Sequence, residues 1–459
     1  MKKYDLIIIG AGPGGYVAAI KAAQNNLKVG IIEKEAIGGV CLNWGCIPTK
    51  ALLKSAKIYT EILNAKDYGI KISDNSVIEA DWTNIIKRKD RTVRRLTGGV
   101  KMLLQKNNVD IIIGDATVLN KNEVQVNDDT YNTKNIIIST GASPIIPPIK
   151  GLEGGINSGL VKTSKELLSI DQLPSELVII GGGVIGIEFA TIFSSFGSKV
   201  TIIEREENIL LNIDDEAREL ILKTLKKAKI KALTESTVTD ITNDSVIYKT
   251  KEGEDISIKT DSVLLSVGMK GNINSFTKLN LNIVKGFVEV NNFMQTSIDN
   301  IYAIGDVTGK MMLAHVASHQ GIIAVSHILG KKESINYDQI PSVIYSFPEI
   351  AQLGVTENEA KKRGIDYKVS KFPLQANGKA LASNDTEGFI KILASKEYNE
   401  IIGVHIVSDN ASDLISEAVM TMKLEGTADE IAKAIHPHPT ISEVYNEAAL
   451  GIIDKPIHI

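Results

Sequence analysis

One pattern is written twice into this chain and narrows its fold more than any other feature. Residues 4–9 are a short apolar run, Gly10-Ala11-Gly12-Pro13-Gly14-Gly15 follows, then a helical stretch Tyr16–Gln24 and a second apolar segment, Lys28–Ile32, closed by Glu33. The order returns as Leu177–Ile180, Gly181-Gly182-Gly183-Val184-Ile185-Gly186, a helical stretch through Phe196, and Lys199–Ile203 closed by Glu204. Strand, GxGxxG, helix, strand and terminal acid form a βαβ unit. Its glycines permit a tight turn and let the backbone approach a pyrophosphate, while the acid takes ribose hydroxyls. Two such units predict two dinucleotides, most economically a flavin and a nicotinamide. A carboxylate at Glu204 accepts a bond from a free 2′-hydroxyl and repels a 2′-phosphate, and Arg205 alone follows it, so NAD(H) is favoured over NADP(H). Glu188, inside the second helix, reads either as a surface acid or, from its place beside the glycine loop, as a cofactor contact.

A chain of 459 residues exceeds one core, so two to four domains are expected. A net charge of −4 and 43% hydrophobic residues suit an ordinary globular enzyme, and a single pair of cysteines excludes a secreted disulfide scaffold. Leu6-Ile7-Ile8-Ile9 is too short for a signal-peptide core, and no run reaches the length of a membrane span; an exposed reactive cysteine pair fits a reducing cytosol, so a cytoplasmic location is expected. The cluster Lys87, Arg88, Lys89, Arg91, Arg94 and Arg95 falls on an expected long helix. In an acidic chain it reads as a solvated helix face rather than a nucleic-acid site. No metal site is expected.

Both cysteines lie in Gly38–Lys50, as Cys41 and Cys46, five positions apart. A bridge needs Cα atoms within about 7 Å, closer than five residues on a regular helix allow, so at least one cysteine must sit off that helix. Gly38, Gly39 and Gly45 supply turns, and Pro48 suits the first turn of a helix running through Ala51-Leu52-Leu53. Cys46 then lies at a helix N-terminus, where the partial positive charge favours a thiolate. The alternative is a pair of buried, inert thiols.

Further along, residues 109–138 read as hairpins, and a strand Asn135–Ser139 leads through Thr140-Gly141-Ala142 to a linker at Pro144…Pro147-Pro148. Asp306, after Gly305 at a strand end, suits either a ribityl hydroxyl or a simple turn. The helix beginning near Met312-Leu313-Ala314-His315 can direct its first amides at a flavin. From about residue 341 an α+β pattern takes over, with strands Val343–Ser346, Phe389–Leu393 and Ile401–Ile406 and helices Ala411–Leu424 and Thr427–Ala434, more suited to association than to cofactors. Near its end, Pro437 and Pro439 stiffen the chain around His438, and Glu443 stands five residues on at a helix start. That is an acid/base pair or a turn with a surface histidine. His319 and His405 read as structural.

Gly38–Lys50, the two fingerprints, Gly305-Asp306 and His438…Glu443 together resemble, in order and over essentially the whole chain, the flavin-dependent disulfide oxidoreductases, and among them the members that oxidise dihydrolipoamide. The resemblance implies an α/β fold of two Rossmann-like dinucleotide-binding domains with a C-terminal α+β dimerisation domain. The FAD-binding domain would span 1–145, the NAD-binding domain 146–270, a central domain 271–340 and the dimerisation domain 341–459. It implies FAD and NAD as cofactors, a redox disulfide on Cys41 and Cys46, His438 oriented by Glu443 as base, and Lys50 placing positive charge near flavin and thiolate. For FAD it adds Gly10, Gly12, Gly14, Gly15, Glu33, Lys34, Gly39, Lys50, Ala116, Thr140, Gly141, Asp306, Met312, Leu313, Ala314 and His315. For NAD it adds Gly181, Gly183, Ile185, Gly186, Glu188, Glu204, Val238 and Gly268. The implied partners are a second copy in a homodimer and the lipoyl domains and E2 core of 2-oxo acid dehydrogenase complexes, with no nucleic acid and no membrane span. Departures are small: Trp44 fills the variable slot between the cysteines, Ser346 replaces a common threonine, and no lipoyl domain is expected before Met1. The vicinal C-terminal cysteines of mercuric reductases are absent. Competing readings are a glutathione-type reductase driven by NADPH, a flavoprotein scaffold without catalysis, and a transhydrogenase that dispenses with the cysteine pair.

Overall fold

The apolar run at the start of the chain forms a strand, Lys3–Ile9 (β1), with Leu6, Ile7 and Ile8 fully buried in the computed structural model, which describes residues 2–74 and 78–459. Helix α1 (Pro13–Gln24) returns the chain so that β2 (Val29–Glu33) pairs with β1 in parallel, Leu6 opposite Val29. A strand covered on both faces needs apolar residues at every position, which is why neither β1 nor β2 alternates cleanly. Next come α2 (Gly39–Trp44), α3 (Cys46–Leu63) and the long α4 (Trp82–Lys106), whose start is capped by Asp81 accepting the Asn84 N–H at 3.0 Å.

The stretch expected to be hairpins is only partly so. Strand β3 (Asp110–Ile113) joins β2 in parallel, whereas β4 (Ala116–Asn120), β5 (Glu123–Val126) and the first part of β6 (Asp129–Ile138) form an antiparallel meander. The ten residues of β6 serve three neighbours: the first part pairs with β5, and the apolar end, Ile136-Ile137-Ile138, pairs in parallel with β1 and with the strand Ile301–Ala303. Helix Ala314–Ile328 then lies against α1 at glycine contacts, since a Cβ on Gly321 would come 2.7 Å from the Gly14 carbonyl oxygen. The expected linker is a clasp. Ala142–Pro144 pairs antiparallel with Met269–Gly271, the Thr140 hydroxyl donates to the Asn272 carbonyl at 2.7 Å, and Asn272 Nδ2 donates back to the Thr140 carbonyl at 2.9 Å. The basic cluster on α4 also differs from a purely solvated face. Lys89 is buried, donating to the Leu168 carbonyl at 2.9 Å, and Arg88 donates to the Ala51 carbonyl at 2.9 Å.

These elements make one compact unit, Met1–Leu173 with Leu264–Ile335; the other is Pro174–Val263 with Asn336–Ile459. In the second unit the repeated fingerprint forms parallel strands Glu176–Ile180, Lys199–Ile203 and Lys231–Leu233 with helix Val184–Ser195. Its C-terminal part is a five-stranded antiparallel sheet whose buried face packs with helices Ala411–Lys423, Ala428–Lys433 and Glu443–Ile453. Two of its strands, Glu349–Gly354 and Tyr367–Pro373, escape the sequence reading because Pro348 looks like a break and Lys368 and Lys371 obscure the alternation. Among the described residues no helix is long and apolar enough to cross a membrane.

At the centre of that sheet a lysine is buried. Lys391 is 2% exposed and meets Asp214 at 3.0 Å, Glu216 at 2.7 Å and the carboxylate of Glu357. Burial disfavours its charge, but the three carboxylates outweigh burial and hold the ammonium above its ordinary range. Across the strand pair stands His405, whose burial holds the imidazole below its ordinary range; its Nε2 lies 3.0 Å from the Val355 carbonyl. Replacing Lys391 by Met leaves Asp214, itself 2% exposed, as an uncompensated buried charge. We expect a loss of about 3–5 kcal/mol in urea denaturation, partly restored by adding Asp214→Asn.

Candidate active site and cofactor sites

The two cysteines lie on consecutive helices. Cys41 is inside α2 and Cys46 is the first residue of α3, with Gly45 breaking the chain between them at φ −137° and ψ −116°. A Cβ at Gly45 would come 2.8 Å from the Val40 carbonyl oxygen, so only glycine permits the break without displacing backbone. Cys41 is off the helix that Cys46 begins, as the five-residue spacing requires, and lies on a short helix of its own. This brings the side chains together as two thiols that hydrogen-bond each other. The bond from Cys46, burial, and the charge of the Cys46 sulfur push the Cys41 thiol well above its usual range. A hydrogen bond from the Cys46 backbone N–H and the positive charge of Lys50 pull the other way. The first amide of α3 is thus aimed at the Cys41 sulfur, as a helix N-terminus holding a developing thiolate requires.

This segment is seated on the first glycine loop. Gly39 adopts φ +57°, and a Cβ there would lie 2.7 Å from the Gly12 Cα. Asn43 Nδ2 holds α2 in place by donating to the carbonyls of Ile37 at 3.0 Å and Gly39 at 2.9 Å.

The two glycine loops superimpose in their chemistry. Gly10 and Gly181 have φ of +102° and +108°. A Cβ on Gly15 would meet the Gly10 oxygen at 1.9 Å, and one on Gly186 would meet the Gly181 oxygen at 2.2 Å. Helices Pro13–Gln24 and Val184–Ser195 both begin at an extended glycine, Gly12 or Gly183, without a side-chain cap, which leaves their first N–H groups open to an anion. The terminal acids brace these loops. Glu33 accepts the Ala11 N–H at 2.8 Å and the N–H groups of Glu35 and Ala36 at 2.8 and 3.2 Å. Glu204 accepts the Gly182 N–H at 2.6 Å and the Glu206 N–H at 2.9 Å. The sequence assigned both acids to ribose alone; holding the loop is a second task, and each carboxylate has lone pairs left for hydroxyls.

Other expected residues fall in varied settings. Glu188 is buried rather than a surface acid and accepts the Tyr345 N–H at 3.2 Å. Ile185 is 38% exposed on the first turn of its helix, and Val238 is buried in the strand Thr237–Ile241. Gly268 (φ +118°) belongs to the first unit, whereas Gly181–Gly186 belong to the second. Lys34 is exposed beside Glu33, Ala116 opens β4, and Thr140 and Gly141 lie in the clasp, where the Gly141 carbonyl accepts the Asn272 N–H at 3.0 Å. Asp306 sits in the turn Gly305–Thr308, where burial pushes its carboxyl up to about 6. No donor among the described residues offsets that cost. Leu313 precedes the first helical residue, Ala314, with Met312 and His315 on either side.

A cleft of about 530 Å³ opens between Glu33, Asn43, Ile113 and the α4 residues Arg94, Thr97, Gly98 and Lys101. These four were not expected. Their i, i+3, i+4, i+7 spacing marks one helix face, and Gly98 within that face was the available signal. The residues present fit a flavin dinucleotide: two close glycine contacts that any Cβ would obstruct, an uncapped helix start, and a buried carboxylate short of donors.

At the other end of the chain, His438 Nδ1 lies 2.8 Å from Glu443 Oε1, and Glu443 Oε2 accepts the Thr440 N–H at 2.9 Å. Burial works against the Glu443 charge, but Thr440 and His438 hold the carboxyl below its usual range. The imidazole is 77% exposed. Glu443 is the first residue of helix Glu443–Ile453, where the helix N-terminus also favours its charge.

Residues 4–321 match the family model of the pyridine nucleotide-disulphide oxidoreductases, and residues 340–449 match that of their dimerisation domain. The dihydrolipoyl dehydrogenase of Mycoplasma pneumoniae is 42% identical over 444 residues, 96% of each chain. That of Bacillus subtilis is 40% identical over 477 residues, 99% of each chain. Among solved structures, the HOCl-induced flavoprotein disulfide reductase RclA of Escherichia coli aligns with a TM-score of 0.85 at 27% identity, over 97% of this chain and 99% of that one. LpdA of Mycobacterium tuberculosis shares the fold, with a TM-score of 0.88 at 24% identity over 98% of this chain and 99% of that one.

Gly15→Ala should cost flavin retention through purification, whereas Gly186→Ala should spare the flavin and raise KM for the nicotinamide nucleotide. Asp306 binds its proton more tightly folded than at its ordinary 3.8, so the flavin-free protein loses stability as pH rises through about 4 to 6. Asp306→Asn should remove that slope, and urea denaturation of flavin-free protein should show it more stable than the parent near pH 7 and equal to it near pH 3.

Proposed function

The chain belongs to the pyridine nucleotide-disulphide oxidoreductase family, and from that premise we propose that it works as a dihydrolipoyl dehydrogenase, oxidising protein-bound dihydrolipoamide to lipoamide while NAD+ becomes NADH. The observation that carries this reading is the pair of hydrogen-bonded thiols facing each other across the Gly45 break, seated on the first glycine loop. His438, oriented by Glu443, takes a proton from one substrate thiol. The resulting thiolate attacks the oxidised cysteine pair at Cys41, the Cys41–Cys46 bond breaks, and Cys46 leaves as a thiolate. The second substrate thiol then displaces Cys41, closing the lipoamide ring and leaving the electron pair on the two cysteines. The Cys46 amide and Lys50 favour a thiolate on Cys41, the sulfur released as the lipoamide ring closes. Bound FAD supplies the two-electron relay between this dithiol and NAD+.

The roles divide as FAD binding over 1–145, NAD binding over 146–270, completion of the flavin site over 271–340 and dimerisation over 341–459. His438 serves the cysteine pair of a second copy in a homodimer; its exposure on a single chain supports this. The lipoyl domains and E2 core of a cytoplasmic 2-oxo acid dehydrogenase complex present the substrate. A glutathione-type reductase using NADPH is the second reading, and the carboxylate of Glu204 stands against it.

Cys46→Ser should keep its flavin and lose dihydrolipoamide turnover by at least about a thousandfold; unchanged turnover would falsify the dithiol mechanism. The parent enzyme should prefer NAD(H) over NADP(H), and the opposite preference would support the second reading. Glu443→Gln removes the carboxylate that orients the His438 imidazole, so kcat/KM for dihydrolipoamide should fall by about a hundredfold, read in steady-state kinetics.

A further inference from the structure

Trp44 ends α2, three residues after Cys41 and two before Cys46, and the chemistry above makes no use of it. Its indole ring lies under a cation: Lys165 Nζ is 4.2 Å from the ring centroid and pairs with the carboxylate of Glu35. Lys165 comes from the short helix Ser164–Leu167, whose start is fixed by the reciprocal bonds of Thr163 and Glu166. Glu35 in turn donates its backbone N–H to Glu33 at 2.8 Å. One half-exposed ammonium therefore ties the tip of the cysteine helix to the turn that carries Glu33.

A helix of six residues does not hold its shape unaided. Asn43 ties α2 to its own start; beyond its far end the Gly45 carbonyl accepts the Thr49 N–H at 3.2 Å and hydroxyl at 2.6 Å, and Trp44 adds the side-chain contact with Lys165. We propose that Trp44 and Lys165 are positioning residues for the redox pair: the cation over the ring pins the end of α2, so that Cys41 stays opposite Cys46 across the Gly45 break and each thiol sees the other at high effective concentration. This rests on the proposed function only in requiring that the two cysteines close to a disulfide.

The test is a thiol–disulfide equilibrium on the flavin-loaded enzyme. Oxidised dithiothreitol converts the enzyme dithiol to its disulfide and becomes reduced dithiothreitol, so atoms and electrons balance and the ratio of the two reagents sets the position. Trapping free thiols by alkylation and counting them by mass reads the constant for ring closure. A cation over an indole at a half-exposed site contributes roughly a two- to fivefold factor. Lys165→Met and Trp44→Leu should each lower the closure constant by that factor, and Lys165→Arg, which keeps a cation on the ring, should restore it. Closure constants equal to the parent in Lys165→Met and Trp44→Leu would overturn the brace while leaving the dithiol chemistry standing. So would an equal fall in Lys165→Arg and Lys165→Met, because the effect would then not follow the cation. A parent enzyme that never forms the disulfide at any reagent ratio would overturn both the brace and the function beneath it.

Discussion

The closeness of two glycine turns governs this molecule. Gly39 can lie with its missing Cβ 2.7 Å from the Gly12 Cα only because neither residue has a side chain, and that contact seats the cysteine helices on the loop built for a dinucleotide phosphate. A side chain at position 39 would push α2 outward, and everything held at its end would follow: the Gly45 break, the Cys46 amide and the two sulfurs. The chemistry of the pair is local, but its address is set by backbone approach.

Electrostatics are arranged around a similar economy. The terminal acids of both fingerprints accept backbone N–H groups of the glycine loops, so loop geometry rests on the same oxygens that a ribose would meet. Asp306 is the opposite case, a carboxyl whose environment in the protein alone disfavours its charge. Such a group is an energetic cost to the protein alone, one that a hydrogen-bond donor would offset. Lys391 shows the third arrangement, a buried charge fully matched from within.

Much of this was legible in the residues. The fingerprints fixed β1, α1, β2 and their counterparts, because glycine spacing and continuous apolar strands report the backbone directly. The His438–Glu443 pair was legible because five residues and two prolines leave a short chain few ways to arrange them. What was hidden depended on partners distant in sequence. Glu188 reads as a surface acid or a cofactor contact until the Tyr345 N–H is seen 157 residues away. Lys89 looks solvated until the Leu168 carbonyl reaches it, and the α4 wall of the cleft carries no motif at all. Strand β6 was read too short because its two parts answer to different neighbours and carry different patterns.

The clasp of Ala142–Pro144 with Met269–Gly271 has a topological meaning. The chain leaves and re-enters through one doorway, whose jambs are bonded to each other by Thr140 and Asn272. The fold around β1 therefore sees the intervening stretch as a single closed loop, and loop entropy grows only slowly with its length. Residues 174–263 can therefore change in size at little closure cost to the sheet around β1, whereas Lys165 and Leu168, within the same loop, stay bonded to the host.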